Sequence, residues 1–335
     1  MDTFSLDIGT STIKIAKIKK EGEQLSLVNL GMVKTPGVGL ASEADKDLLT
    51  IAEAIKKLKA EAGITSIEVV SSLSEANVIT RVIDLPAMTE EEVGQALKWE
   101  LEEVVPIPLD ESNYDWQIVK KTSSLLSVLV AVAPKNLVAK YLKIFEMAEL
   151  KPVALETEVL ALVRALKFVG SGKVKLILDF GAKSVNSVAC RDEEVILTRS
   201  LPLAGEAMTR SISTGFSLEQ EVAEEYKKTY GLSENELEGK IKDALRPVIK
   251  PVFEEMAKIT EFIKEKRKEA IEMIVLSGGG ANLPGLSEEI ARQTGVEVQI
   301  ANPLAGIKCD ENLIKAVKDK SSSFTVVLGL AMREF

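Results

Sequence analysis

"LDIGTSTIK" (residues 6–14) and "LDFGAKSVN" (residues 178–186) share one outline, 172 positions apart: a short apolar run, then Asp, any residue, Gly and a small residue. An Asp that ends a strand can hold a divalent cation directly or through its waters, and the Gly lets the backbone turn sharply and come close to a ligand. Thr10 and Ser11 add hydroxyls and amides suited to phosphate oxygens, and Lys14 offers a charge that neutralises phosphate. One Asp-x-Gly turn is commonly just a hairpin. Two at matching places put a phosphate clamp on equal terms with that reading.

The surroundings match as well. "TFSLDIG", "TIKIAKIKK" and "QLSLVNLGMV" read as strands, and Leu48, Ile51, Ala52, Ile55 and Leu58 recur at helical spacing over 45–61 before a further strand, "SIEVVSSL". The second half replays this order with "VKLILDFG", "SVNSVACR", "EVILTRSLPL", helical material and "EMIVLSGGG". An internal duplication of an α/β lobe is expected.

Residues 76–152 fall outside the repeat. A strand, "NVITRVIDLP", leads to a helix opened by a capping box of Thr89 and Glu92, with Val93, Leu97, Leu101 and Val104 on one face and a stop before Pro106. The strands "SNYDWQIVKK" and "LLSVLVAVA" follow, then an amphipathic helix begun by Pro134 that turns Leu137, Val138, Tyr141, Leu142 and Phe145 inward. A helical region over 203–270 places Val252, Met256, Ile259 and Ile263 on one packing side.

The 335 residues suggest about two domains of ordinary size. A net charge of −9 argues against naked nucleic acid as the main partner. Cys190 and Cys309 lack the spacing of a zinc site or disulfide framework, which fits a reduced cytoplasm. The start has no signal-peptide pattern, and the longest strongly apolar stretch, 125–133, is too short to cross a bilayer. The chain contains no histidine, which removes every mechanism that needs an imidazole.

A third stretch, "IVLSGGGANLPGLSEEIARQTG" (274–295), runs from a buried strand through three glycines into a helix. Consecutive glycines at a strand's carboxyl end let the main chain lie flat against a phosphorylated or planar ligand. Neither G-x-G-x-x-G nor a P-loop occurs.

Together these stretches resemble the actin-like ATPase superfamily, which includes actin, the Hsp70 ATPase domain and FtsA. The resemblance implies an α/β actin-like ATPase fold of duplicated ribonuclease H-like lobes with an inserted FtsA-type 1C (SHS2-like) subdomain. It implies that Asp7, Gly9, Thr10, Ser11 and Lys14 hold the phosphates of ATP and Mg2+, with Asp179, Gly181, Ala182 and Lys183 as the second phosphate turn. Asp7 and Asp179 would serve the metal, and Gly278, Gly279, Gly280 and Ala281 the adenosine. "VAEEYKK" (222–228) is similar to the family's A-E-x-x-K, which implies Glu224 and Lys227 near the ribose and base; an exposed helical pair is the competing reading. Lys183 stands where the family usually has a small hydroxyl residue, to contact phosphate or point to solvent.

Four blocks narrow the likeness to the PilM family of type IV pilus assembly proteins: 91–111, 133–166, 198–212 and 276–307. The implied organisation is 1–75, lobe 1A first part; 76–152, the 1C insertion; 153–172, lobe 1A connecting helix; 173–202, lobe 2A first part; 203–270, subdomain 2B; 271–310, lobe 2A second part; and 311–335, helices returning to lobe 1A. The family implies a cytoplasmic scaffold at the inner face of the cytoplasmic membrane, peripheral to it through partners. A PilN-like cytoplasmic peptide would sit in the 1A/1C groove, and a pilus assembly ATPase would be a second partner. Val78, Val82, Leu85 and Leu101 face either that groove or the core. FtsA-like cell division, a filament-forming ATPase and a type II secretion platform adaptor are the alternatives. FtsA proteins carry a membrane-binding helix after the last lobe, and none is expected after "LGLAMREF". Turnover is left open between none and a weak ATPase; the family's lobe junction implies Glu156 as the water-positioning residue, with Glu158 second.

Overall fold

The computed structural model describes residues 2–334. The chain packs as two units: 1–164 with 193–198 and 326–335, and 165–192 with 199–325.

In the first unit, β1 (Thr3–Ile8), β2 (Thr12–Glu21), β3 (Gln24–Lys34), α1 (Asp45–Glu61) and β4 (Glu68–Leu73) follow the expected order. The insertion supplies β5 (Ile79–Pro86), α2 (Glu90–Val104), β6 (Ser112–Lys121), β7 (Leu125–Pro134) and α3 (Lys135–Met147), after which β8 (Lys151–Thr157) and α4 (Glu158–Ala165) return to the lobe. The lobe sheet runs β3-β2-β1-β4-β8. β1 is antiparallel to β2 and parallel to β4, and β8 is parallel to β4. β1 sits inside the sheet and is buried on both faces, so its alternating polar residues, Ser5 and Asp7, are as buried as Phe4, Leu6 and Ile8. The apolar stripe of α1 and the buried Tyr141, Ile144 and Phe145 of α3 share one core with Phe4, Leu6, Ile13 and Ile15.

The insertion has its own layer. Its sheet runs β5-β7-β6, and α2, held by the Thr89–Glu92 capping box, packs Val93, Leu97 and Leu101 against Val128, Val130 and Val132. Leu85 and Leu101 are therefore core residues of the insertion, and Val78 belongs to the lobe core; Val82 alone of the four is only half-buried. Trp116 lies against the insertion's core, whereas Trp99 on α2 is 75% exposed.

The second unit contains β9 (Val174–Phe180), β10 (Val185–Arg191), α5 (Gly205–Phe216), α6 (Gln220–Tyr230), α7 (Lys240–Phe262), β12 (Met273–Ser277), α8 (Leu286–Thr294), β13 (Glu297–Ile300) and α9 (Glu311–Val317), and its sheet is completed by β11 (Glu194–Leu201), whose first residues are grouped with the first unit. Its sheet order, β11-β10-β9-β12-β13, repeats that of the first lobe, and the same antiparallel and parallel pairings recur. The registers agree too. Asp7 lies opposite Lys14, and Asp179 opposite Asn186.

Three details depart from the sequence reading. Residues 151–157 form β8, so the connecting helix starts only at Glu158; the free edge of β4 recruits this segment, and sheet pairing overrides its helical pattern. Leu142 is 44% exposed, on the outer side of α3. The segment 311–325 packs with the second unit, and the return to the first begins at Val326.

Two buried contacts tie the first unit together. In the helix α10 (Thr325–Ala331), a Cβ on Gly329 would lie 1.9 Å from the Ala161 carbonyl oxygen, so the two backbones meet at glycine distance. Glu75, just past β4, is buried; Thr80 Oγ1 donates to both its carboxyl oxygens (3.1 and 2.9 Å) and the Val159 amide to one (3.4 Å). In return the Glu75 amide donates to Glu158 (3.2 Å), so this carboxyl links the start of the insertion to the start of α4.

Gly329→Ala is expected to cost about 3 kcal/mol, read as a lowered thermal midpoint. Burial pushes the Glu75 carboxyl up from 4.5 to about 7, against the opposing hydrogen bonds of Thr80 and Val159. Across that window the folded chain keeps a proton that the unfolded chain releases, so stability falls as pH rises, by roughly 3 kcal/mol in full. Glu75→Gln should therefore gain on the wild type between pH 5 and pH 8 in urea titrations. A pH-independent difference contradicts this.

Candidate functional site

The first Asp-x-Gly turn joins β1 to β2. The Gly9 amide donates to the Thr12 carbonyl (3.1 Å), and a Cβ on Gly9 would stand 2.8 Å from that same oxygen, so the turn closes only around glycine. Asp7 and Lys14 are both nearly buried and form an ion pair at 3.0 Å. Thr10 and Ser11 are exposed at the tip. The turn thus carries a buried carboxylate, an ammonium and two exposed hydroxyl residues at one strand end.

The second turn is its copy. The Gly181 amide donates to the Ser184 carbonyl (3.0 Å), and Gly181, like Gly9, is closed in by that oxygen at 3.0 Å. The start of α5 grips the turn, since the Gly205 and Glu206 amides donate to the Gly181 and Ala182 carbonyls (3.2 and 2.8 Å). Lys183 is exposed.

Beside this turn the second unit gathers the other expected residues. Lys227 Nζ donates to the Gly205 carbonyl (3.0 Å), Thr209 Oγ1 (2.9 Å) and Glu224 (2.5 Å). Burial works against the Glu224 charge, but Lys227 and Thr209 outweigh it and hold the carboxyl below its usual range. A cavity of about 600 Å³ opens alongside, lined by Glu206, Thr209, Arg210, Glu221, Glu224 and Lys228. Glu224 and Lys227 are thus a built-in pair next to the second turn.

The three glycines differ from one another. Gly278 has φ +82°, and a Cβ there would lie 2.5 Å from the Phe180 carbonyl oxygen and 3.0 Å from Asp179 Oδ1. Gly280 donates to that carbonyl (3.0 Å) and has Phe180 Cβ at 2.9 Å from a would-be Cβ. A Cβ on Gly279 would meet nothing within 4 Å, and its φ is unexceptional. Ala281 is buried behind them.

Asp7 in the first unit and Asp179 in the second each stand near the end of a strand, and a carboxylate is the kind of ligand that Mg2+ takes one or two of while keeping waters and phosphate oxygens as its others. Among the described residues no cluster of three or more Asp, Glu, Cys or His is placed to cage a metal.

Glu156 is a different kind of residue. It is the penultimate residue of β8, its side chain is 2% exposed, and its two oxygens accept from Arg164 (2.7 and 3.0 Å) and Arg333 (2.6 Å). Arg164 also donates to the Gly329 carbonyl (2.7 Å). Both carboxylate oxygens are committed to guanidinium groups, which opposes a role in orienting water. Glu158, next along, accepts the Glu75 amide. Sequence reasoning missed Arg164, Arg333 and Glu75, because each also bonds a residue more than 80 positions away, Gly329, Glu156 and Val159 respectively, and no local pattern marks such a pairing.

Comparison with known proteins agrees with this architecture. The family of type IV pilus assembly protein PilM matches residues 5–335. A solved structure described as a PilM-PilN type IV pilus biogenesis complex is 30% identical with a TM-score of 0.87, covering 99% of this chain and 98% of that one. The cell division protein FtsA of Enterococcus hirae is 24% identical over 89% of this chain and 77% of its own length. MreB5 of Spiroplasma citri bound to AMPPNP, at 14% identity and a TM-score of 0.54 over 98% and 94% of the two chains, shares the fold. With its duplicated lobes and inserted subdomain, the chain has the actin-like fold and belongs to the PilM family of type IV pilus assembly proteins.

Proposed function

We propose that this chain is an ATP-binding scaffold of type IV pilus assembly that recruits a PilN-like cytoplasmic peptide through its inserted subdomain. Gly279 carries the nucleotide reading. Gly278 and Gly280 are glycines because Phe180 leaves no room for a side chain, but nothing in the protein itself demands glycine between them. A ligand lying against the turn supplies the missing reason. In this reading Asp7, Gly9, Thr10, Ser11 and Lys14 bind phosphates, Asp179, Gly181, Ala182 and Lys183 form the second turn, and Asp7 and Asp179 serve Mg2+. Glu224, Lys227 and 278–281 take the ribose and base.

The committed state of Glu156 favours a nucleotide-holding scaffold over a fast ATPase. The partner reading rests on family membership and on the solved PilM-PilN complex, whose title names that partner for that protein. No helix among the described residues is long and apolar enough to cross a membrane, and attachment to the cytoplasmic face would come through PilN-like and pilus ATPase partners.

Gly279→Ala is expected to fold with an unchanged or slightly raised thermal midpoint, yet to weaken Mg2+-ATP binding by about tenfold or more in calorimetry. Full ATP affinity in that variant would refute contact at Gly279. The full chain should also retain a PilN-like tail peptide in a pulldown; failure both with and without Mg2+-ATP removes the recruitment reading.

A further inference from the structure

Two of the three glycine turns, those of Gly9 and of Gly278–Gly280, are each held by one hydroxyl residue from a distant segment. Behind the first turn, just past β3, Thr35 Oγ1 donates to the Gly9 carbonyl (2.7 Å) and the Thr35 amide donates to the Ser11 carbonyl (3.0 Å). Thr35 is 7% exposed. Behind the triple glycine, in the 3-10 segment Lys318–Phe324, Ser322 is 1% exposed. Its Oγ donates to the Gly278 carbonyl (3.1 Å), and its own carbonyl accepts the Gly278 amide (3.0 Å). Asn282 Nδ2 donates to the Asp319 carbonyl (3.0 Å) and to Ser322 Oγ (3.4 Å), closing the segment over the turn.

The two cases share a logic. A glycine turn is the most mobile backbone a protein can offer to a ligand, since glycine loses the most freedom on ordering. Amides aimed at a ligand bind well only when their direction is set beforehand. A hydroxyl on the glycine's carbonyl and a second hydrogen bond on the adjacent backbone fix the peptide planes without a side chain on the ligand face.

We propose that Thr35 and Ser322 are positioning residues for the nucleotide, Thr35 orienting the phosphate turn and Ser322 the adenosine turn. The inference rests on the nucleotide reading above and adds a division of labour to it. Neither residue touches the ligand. Each acts through one turn, so each acts on one part of the nucleotide.

The test is displacement of a fluorescent ATP analogue from the full chain by ATP and by inorganic tripolyphosphate. Thr35→Val and Ser322→Ala each remove one hydroxyl at nearly constant shape, and a lost hydrogen bond corresponds to about a three- to tenfold loss of affinity. Thr35→Val is expected to weaken ATP and tripolyphosphate alike, with Thr35→Ser restoring both. Ser322→Ala is expected to weaken ATP and leave tripolyphosphate unchanged. A purely structural role would weaken both ligands equally in both variants, and that result overturns the proposal, as does undiminished ATP affinity in either. Should Ser322→Ala fail to fold, Asn282→Ala at the rim of the segment carries the same expectation. A wild-type chain that binds no ATP overturns the nucleotide reading itself, and this inference with it.

Discussion

A carboxylate that ends a buried strand must be compensated, and both lobes are built around that requirement. In the first lobe the answer is a cross-strand cation: Asp7 and Lys14 face each other in the β1–β2 register and pair at 3.0 Å. In the second lobe the equivalent register places neutral Asn186 opposite Asp179, and the glycine turn after β12 closes to within contact of the Asp179 carboxyl. The duplicated frame is therefore the same in backbone and different in charge. The cross-strand position opposite the aspartate holds a lysine in the first turn and an asparagine in the second.

The cluster of buried Glu156 with half-buried Arg164 and Arg333 shows how the first lobe keeps its last residues in place. A buried carboxylate held by two partly exposed guanidinium groups contributes through the geometry it enforces, because burying its charge offsets much of the attraction. Arg164 extends the cluster to the Gly329 carbonyl, beside the point where α4 and α10 touch backbone to backbone. Glu75 does the same for the insertion, joining its first strand to the start of α4. Both anchors converge on α4, so the insertion and the closing helix share one support.

The sequence disclosed what local pattern encodes. The first strand, the α1 stripe, the Thr89–Glu92 capping box and the repeated Asp-x-Gly turns each carry their signal within a dozen residues, and each stands in the structure as expected. It did not disclose what depends on a distant partner. β8 is a strand because β4 offers an edge, Leu142 is exposed because α3 turns its other face to the core, and Glu156 is neutralised by an arginine 177 residues away. Thr35 and Ser322 were invisible for the same reason, since a lone hydroxyl residue in a loop announces nothing until the carbonyl it meets is known. In the candidate site, the glycines and aspartates were legible and the groups that hold them still were not.

The chain contains two tryptophans, Trp99 and Trp116, and both lie in the insertion, one projecting from α2 and the other against the insertion's core. Neither lobe contributes an indole. Tryptophan emission, excited beyond the absorption band of tyrosine, is therefore a private optical channel for the subdomain assigned to partner binding: the exposed indole senses what settles on the outer face of α2, and the half-buried one senses the packing beneath it. Nucleotide added to the lobes changes that emission only if its arrival is felt in the insertion, so the protein carries its own reporter of communication between the two activities.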